Sequence, residues 1–209
     1  MKNNKILMCV PSTRDIPVEV FQSIYSLGTP VDLQILQGSL VDDAREAMAH
    51  NAIDNGYDYI LWCDSDMTFG ADALNQLLAD KKDIVCGVFF KRTPPYTPCI
   101  YKRTEKGIAI YHDYPDDQLF EIAECGCAFT LMRVKCLKDV LDEYGTMFRR
   151  AYPYGEDLSF MKRWQKLSPD NKLYCDSRVK IGHVAQLAID EKMWKAWRKI
   201  YERELQAQR

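Results

Sequence analysis

The stretch "YILWCDSDMTFG", residues 59–70, decides how the rest of the chain is read. An uninterrupted apolar run, Tyr59–Cys63, passes directly into Asp64-Ser65-Asp66. A run with no polar alternation suits a strand covered on both faces, as in a parallel sheet between helices. Two carboxylates one residue apart at the end of such a strand are costly unless something cationic sits between them. In sheets of this kind ligands bind outside the carboxyl ends of the strands. The stretch therefore predicts a fold and the place in that fold where its chemistry lies.

The flanking sequence extends the pattern. Residues 5–10 predict a first strand, ending in a loop formed by Pro11, Ser12, Thr13 and Arg14. Residues 17–27 predict a helix, with Pro17 suited to its first turn. Residues 31–37 alternate as a second strand. Asp42 or Asp43 is placed to cap the next helix, which carries Ala44, Met48, Ala49, Ala52 and Ile53 and closes at Asn55-Gly56. After the motif, residues 71–79 predict a short helix and residues 84–90 a central strand. Strand and helix in alternation imply an α/β fold with a Rossmann-like, mostly parallel central sheet flanked by helices.

Beyond residue 90 the character changes. A proline-rich loop at 91–98 precedes short strands near 99–102, 107–112 and 119–123, then a strand at 127–133. Helices are predicted at 134–144 and 156–167, short strands at 173–175 and 179–181, and a terminal helix at 188–208. The segments Ser12-Thr13-Arg14, Asp64-Ser65-Asp66 and Lys91-Arg92 all fall at strand ends and are expected to share one cleft.

Bulk properties exclude several classes. A chain of 209 residues, 47% hydrophobic and 28% charged, suits one soluble domain. Its formal charge of −2 supplies no general attraction to nucleic acid, so anions must be met by a local site. No apolar run approaches the roughly 20 residues of a membrane span, and the first run is too short for a signal-peptide core. The 8 cysteines show no zinc-type spacing, Cys125-Gly126-Cys127 being the nearest approach. Several sit inside apolar runs and read as buried reduced thiols of a cytoplasmic protein.

Two chemistries share the Asp64-Ser65-Asp66 spelling. With Thr68 it matches the nucleophile motif of haloacid-dehalogenase-like phosphatases. Asp-x-Asp at a strand end also holds the diphosphate of a nucleotide-sugar in metal-dependent glycosyltransferases. The phosphatase motif lies on the first strand and needs a distal acidic pair ending another strand. Here two strand–helix units precede Asp64, and the later pair, Glu156-Asp157, opens a helix. Order and context favour sugar transfer.

Four segments carry that reading further: "DDAREAMAHNAIDNGYDYILWCDSDMTF" at 42–69, "ECGCAFTLMRV" at 124–134, "YGEDLSF" at 154–160 and "VKIGHV" at 179–184. In these motifs and their order the chain resembles the GT-A class of nucleotide-sugar glycosyltransferases, family 2-like and of the Asp-x-Asp type. The resemblance implies one GT-A domain over 1–209, with a nucleotide-binding half at 1–92 and a smaller acceptor and metal half at 93–187. Residues 188–209 are expected to form a C-terminal amphipathic helix. It places Pro11, Ser12, Thr13, Arg14, Arg45, Asp64, Ser65 and Asp66 at the donor nucleotide. Asp64, Asp66 and His183 become ligands of Mn²⁺ or Mg²⁺, a set whose oxygens and single imidazole suit those ions. Asp64 is also placed to reach the ribose. Asp157 and Glu156 become the catalytic pair, Asp157 taking the acceptor's proton and Glu156 orienting the acceptor. Arg92, Gly126 and Cys127 lie near the donor sugar or the acceptor.

Plainer roles stand beside these. Arg45 fits an exposed helix arginine paired with Asp42, and Glu156-Asp157 fits a helix N-terminal charge. Lys91 and Arg92 fit a solvated turn. The implied donor is a UDP-sugar first and a GDP-sugar second, with the acceptor left open. The terminal stripe of Ile189, Met193, Ala196, Trp197 and Ile200 is expected to pack on the domain, with membrane contact or a homodimer as second readings. A nucleotidyltransferase needs a glycine-rich loop after the first strand, which Pro11-Ser12-Thr13-Arg14-Asp15 does not supply. A non-catalytic nucleotide- or carbohydrate-binding module is the remaining alternative.

Overall fold

A computed structural model describes residues 4–13 and 15–185, together with Glu191, Lys195 and Arg198. Arg14 and the expected terminal helix lie outside the described residues. The first half runs β1 (Ile6–Ser12), α1 (Val18–Tyr25), β2 (Asp32–Gln37), α2 (Val41–Asp54), β3 (Tyr59–Cys63), β4 (Met67–Phe69), α3 (Ala73–Ala79) and β5 (Ile84–Val88). The second half runs β6 (Ile100–Thr104), β7 (Gly107–Ile110), β8 (Leu119–Ile122), β9 (Glu124–Cys125), β10 (Phe129–Arg133), α4 (Val134–Tyr144), α5 (Glu156–Leu167) and β11 (Leu173–His183).

The main sheet has the order β2-β1-β3-β10-β5-β11-β4, with β8 also paired to β11. Strands β1, β2, β3, β5 and β11 run in one direction, which makes this a mixed, mostly parallel α/β sheet. A small second sheet, β7-β6-β9, stands beside it. Alternation along the strands sorts the core into two layers. Leu7, Cys9, Ile60, Trp62, Ile84, Cys86 and Met132 pack against Met48, Ala49 and Ala52 of α2 and residues of α4 and α5. Their neighbours Met8, Val10, Leu61, Cys63, Val85, Phe129 and Leu131 pack against Leu74 and Leu77 of α3, with Ile24 of α1 at the edge. The ring of Phe148 meets Trp62 edge-on at 5.1 Å and stacks on Phe160 at 4.9 Å, joining α5 to the sheet. All the cysteines are free thiols, and all but Cys99 are buried. Among the described residues no helix is long and apolar enough to cross a membrane.

Several sequence expectations change. Strand β1 continues through Pro11 and Ser12, which pair with Leu36 and Gln37, so these two residues are sheet and not loop. Proline is tolerated there because the pairing of β1 with β3 ends at Cys9, which leaves Pro11 with a strand neighbour on one side only. Helix α2 starts two or three residues earlier than a cap at Asp42 or Asp43 requires: its N-cap is Leu40, and both aspartates lie in the first turn. The expected strands at 173–175 and 179–181 are one strand, irregular between Asp176 and Lys180. Strand β10 enters antiparallel between β3 and β5, separating strands that consecutive winding would make neighbours. This insertion brings the start of β10 to the carboxyl ends of the parallel strands, since Phe129 pairs with Cys63.

One charge cluster ties the end of α3 to β11. Arg178 bridges two buried carboxylates, its Nη2 donating to Asp80 Oδ1 and its Nε to Asp176 Oδ1, each at 2.8 Å. Asp80 Oδ2 is buried and receives no hydrogen bond from a donor among the described residues. Burial, reinforced by the charge of Asp176, pushes the Asp80 carboxyl up to about 6. Folding therefore favours the protonated form. The resulting stability is complete below the ordinary carboxyl range and is lost as pH rises through about 6. Asp80→Asn keeps the shape and cannot ionise, so its melting temperature should exceed the parent's by about 2–4 °C at pH 7.5 and match it near pH 3. Melting curves at the two pH values check this, and a variant less stable than the parent at pH 7.5 would overturn it.

Candidate active site

The turn after β3 is held by hydrogen bonds from Asp64 N to Ala128 O, 2.8 Å, and from Met67 N to Asp64 O, 3.1 Å. It leads into β4, which pairs with the end of β11 so that Met67 faces His183 and Thr68 faces Gly182. Val184 N then donates to Asp66 O at 2.8 Å. The approach is so close that a Cβ on Gly182 would lie 2.3 Å from Thr68 Oγ1. Glycine before His183 is thus what lets the two strands meet.

His183 Nε2 lies 3.1 Å from Asp66 Oδ2, and the other ring nitrogen, Nδ1, lies 2.6 Å from Phe90 O. A carbonyl oxygen only accepts, so Nδ1 carries hydrogen and donates. In the neutral ring the lone pair of Nε2 then points at Asp66, the orientation found in metal-ligating histidines. Adjacent ligands of an octahedral ion with bonds of roughly 2.1 Å sit about 3 Å apart. Asp66 and His183 therefore fit a divalent cation as two of its ligands. Among the described residues no three of His, Cys, Asp and Glu converge into a complete site. Asp64 is turned elsewhere, and Asp66 Oδ2 also accepts from Arg92 Nη1 at 2.7 Å.

Arg45 explains where Asp64 turns. It is 2% exposed, its Nη2 donating to Asp64 Oδ1 at 2.6 Å and its Nη1 to Glu156 Oε1 at 2.7 Å. Burial opposes its charge, but Asp64, Asp157 and Glu156 outweigh that and hold the guanidinium above its ordinary value. Glu156 is buried as well, with Arg150 Nε 3.8 Å from its second oxygen. Arg45 thus joins the end of β3 to the start of α5 from below the site, its terminal nitrogens taken by carboxylates. The pairing with Asp42 goes instead to Arg150, at 3.2 Å. The sequence held a signal for this: Arg45 shares one helical face with Met48, Ala49 and Ala52.

Above this bridge a cavity of about 360 Å³ is lined by Asp64, Arg92, Gly126, Asp157 and His183, together with Phe89, Lys91, Thr93, Cys99, Tyr101, Ala128 and Leu158. Helix α5 begins after Gly155, and Asp157 sits in its first turn without capping it. Asp157 Oδ1 accepts from Leu158 N at 2.7 Å. A Cβ on Gly126 would stand 3.0 Å from Asp157 Oδ2, so glycine at 126 leaves that oxygen room. The structure brings Asp64, Arg92, Gly126, Asp157 and His183 to one space. It buries Pro11, Ser12 and Cys127, and leaves Thr13 exposed and Ser65 half-buried in the turn. Burial pushes the Cys127 thiol well up. No motif in the sequence points to Tyr101, Phe89 or Leu158 as lining residues. Tyr101 reaches the cavity because β6 pairs with β9, an association that no local pattern announces. Burial raises its phenol, with Cys99, Asp157 and Glu124 adding to the shift, so the hydroxyl stays protonated at neutral pH.

No family model matches the chain, and no curated protein matches it in sequence. Solved structures do match in fold. The crystal structure of A197 from STIV is 18% identical with a TM-score of 0.60, covering 87% of this chain and 86% of that one. GalNAc-T7, crystallised with UDP, GalNAc and Mn²⁺, is 8% identical with a TM-score of 0.58, covering 89% of this chain and 45% of that one. The 1–349 portion of S. aureus TarS is 16% identical with a TM-score of 0.54, covering 86% of this chain and 60% of that one. This chain thus spans about half the length of the two glycosyltransferase structures. Its mostly parallel central sheet flanked by helices matches the fold of these GT-A glycosyltransferase structures.

Proposed function

We propose that the protein transfers a sugar from a nucleoside-diphosphate donor, a UDP-sugar first, to an acceptor hydroxyl. The observation that carries this reading is that Asp64, His183, Arg92 and Asp157, from four separate segments, line one cavity at the carboxyl ends of the parallel strands. Asp66 and His183 would hold Mn²⁺ or Mg²⁺, which supplies charge neutralisation at the diphosphate leaving group. Asp64, anchored through one oxygen by Arg45, keeps its other oxygen for the ribose hydroxyls. Asp157 Oδ2, cleared by Gly126, takes the proton from the acceptor hydroxyl as its oxygen attacks the anomeric carbon. Glu156, held by Arg45, fixes the first turn of α5 and through it the position of Asp157.

Thermal shift tests the donor side. UDP with Mn²⁺ at a hundredfold excess over its dissociation constant adds about 2.7 kcal/mol, a rise of about 5–10 °C for a chain of this size. The rise should shrink in EDTA, and GDP should give less than UDP. If no nucleoside diphosphate stabilises the protein in a metal-linked manner, the proposal fails at its first step.

A further inference from the structure

The two arginines near the aspartate pair are held in opposite ways. Arg45 is buried between two carboxylates and has no freedom to leave them. Arg92 has a side chain 61% exposed and ends on Asp66 Oδ2 at 2.7 Å. That same oxygen, with His183 Nε2 at 3.1 Å, forms the two-ligand seat for a divalent ion. A guanidinium and a divalent cation cannot both sit against one carboxylate oxygen at close range, because like charges repel there strongly.

We propose that Arg92 is the resident cation of the unloaded site: its guanidinium neutralises Asp66 until a divalent ion displaces it, and the released side chain then bonds the diphosphate of the donor. The proposal rests on the metal-dependent reading above. The loop carrying Arg92 is suited to the exchange. Its base is closed by the bridge between Phe90 and Pro98 and by the bond from Cys99 N to Phe89 O, 2.9 Å. Residues 91–96 above that base are exposed. An exposed ion pair of this kind is weak, so exchange costs little. The base itself is not free to move, because Phe90 O accepts from His183 Nδ1 and holds the imidazole toward Asp66. Loop tip and loop base thus have separate tasks, one supplying the removable charge and the other orienting the ligand that stays. Once released, Arg92 remains on the wall of the cavity beside Lys91 and Thr93, where an anionic group is met by two cations and a hydroxyl.

The test is Mn²⁺ binding followed by electron paramagnetic resonance on the intact protein without nucleotide, comparing the parent with Arg92→Gln. Because Arg92 is exposed, the substitution leaves the fold intact, and matched melting temperatures confirm it. Arg92→Gln should bind Mn²⁺ about 2–5-fold more tightly than the parent, since the competing charge is gone. With Mn²⁺ saturating, its affinity for UDP should fall by a similar factor, since the released guanidinium is missing. Arg92→Lys, which keeps the charge, should stay near the parent in both measurements. Equal or weaker Mn²⁺ binding by Arg92→Gln would overturn the exchange while leaving the metal-dependent reading intact. Failure of both proteins to bind Mn²⁺, with or without UDP, would overturn that reading and the exchange together.

Discussion

Asp157→Asn is expected to leave the melting temperature within about 1 °C of the parent while sugar transfer falls roughly 10²–10⁴-fold. The two halves of that result have separate causes. Asp157 does not cap α5, whose N-cap is Gly155, and its bond from Leu158 N is one that an amide oxygen also accepts. The fold therefore loses little. Transfer loses the basic oxygen that Gly126 leaves accessible, and the amide nitrogen of asparagine cannot take a proton from an attacking hydroxyl. UDP affinity should hold, because the nucleotide is expected on the Asp66 side of the cavity. Donor hydrolysis by water provides an assay before the acceptor is known. A variant that transfers sugar to the true acceptor at the parental rate would remove Asp157 from the mechanism and leave the metal proposal for Asp66 and His183 untouched.

Arg45→Met is expected to have the largest effect on stability, a loss of about 3–5 kcal/mol, because it leaves the buried carboxylate of Glu156 only the 3.8 Å approach of Arg150 to balance its charge. For a chain of this size that corresponds to a fall of about 6–20 °C in melting temperature. Asp64, on the cavity side, loses the same partner but can turn to water. The double variant Arg45→Met, Glu156→Gln should melt above the single one, since a neutral amide costs less to bury than an unpaired charge. Thermal denaturation of the three proteins side by side decides the point. If Arg45→Met melts within about 2 °C of the parent, the bridge beneath the site contributes nothing to the fold.

Much of this architecture is legible in the chain because burial on both faces of a strand forces an uninterrupted apolar run. Residues 57–63 read as a buried strand and 84–90 as a central one from that alone, which the structure trims to Tyr59–Cys63 and Ile84–Val88, and the abrupt change to Asp64-Ser65-Asp66 marks the strand end. Helices α4 and α5 begin and end where their periodicity places them, since an amphipathic face is a local property. The place of β10 is different. Phe129–Arg133 is nearly all buried, and such a strand reads the same whether its neighbours run with it or against it. Its antiparallel insertion was settled only when Phe129 met Cys63, and that pairing is what carries Gly126 to the cavity.

The residue types suited to a cation and a general base were likewise visible, but their division of labour was not. Which carboxylate faces the cavity and which is tied down depends on Arg45, and Arg45 depends on two partners far away in sequence. Asp66 comes to face His183, 3.1 Å away, because Gly182 lets β11 lie against β4 at Thr68, a contact between distant segments. Strand ends, helix faces and the chemistry of single side chains follow from neighbours along the chain, where burial and periodicity act locally. The pairing of charges follows from neighbours in space, which strand order alone brings together, and so only the folded structure decides it.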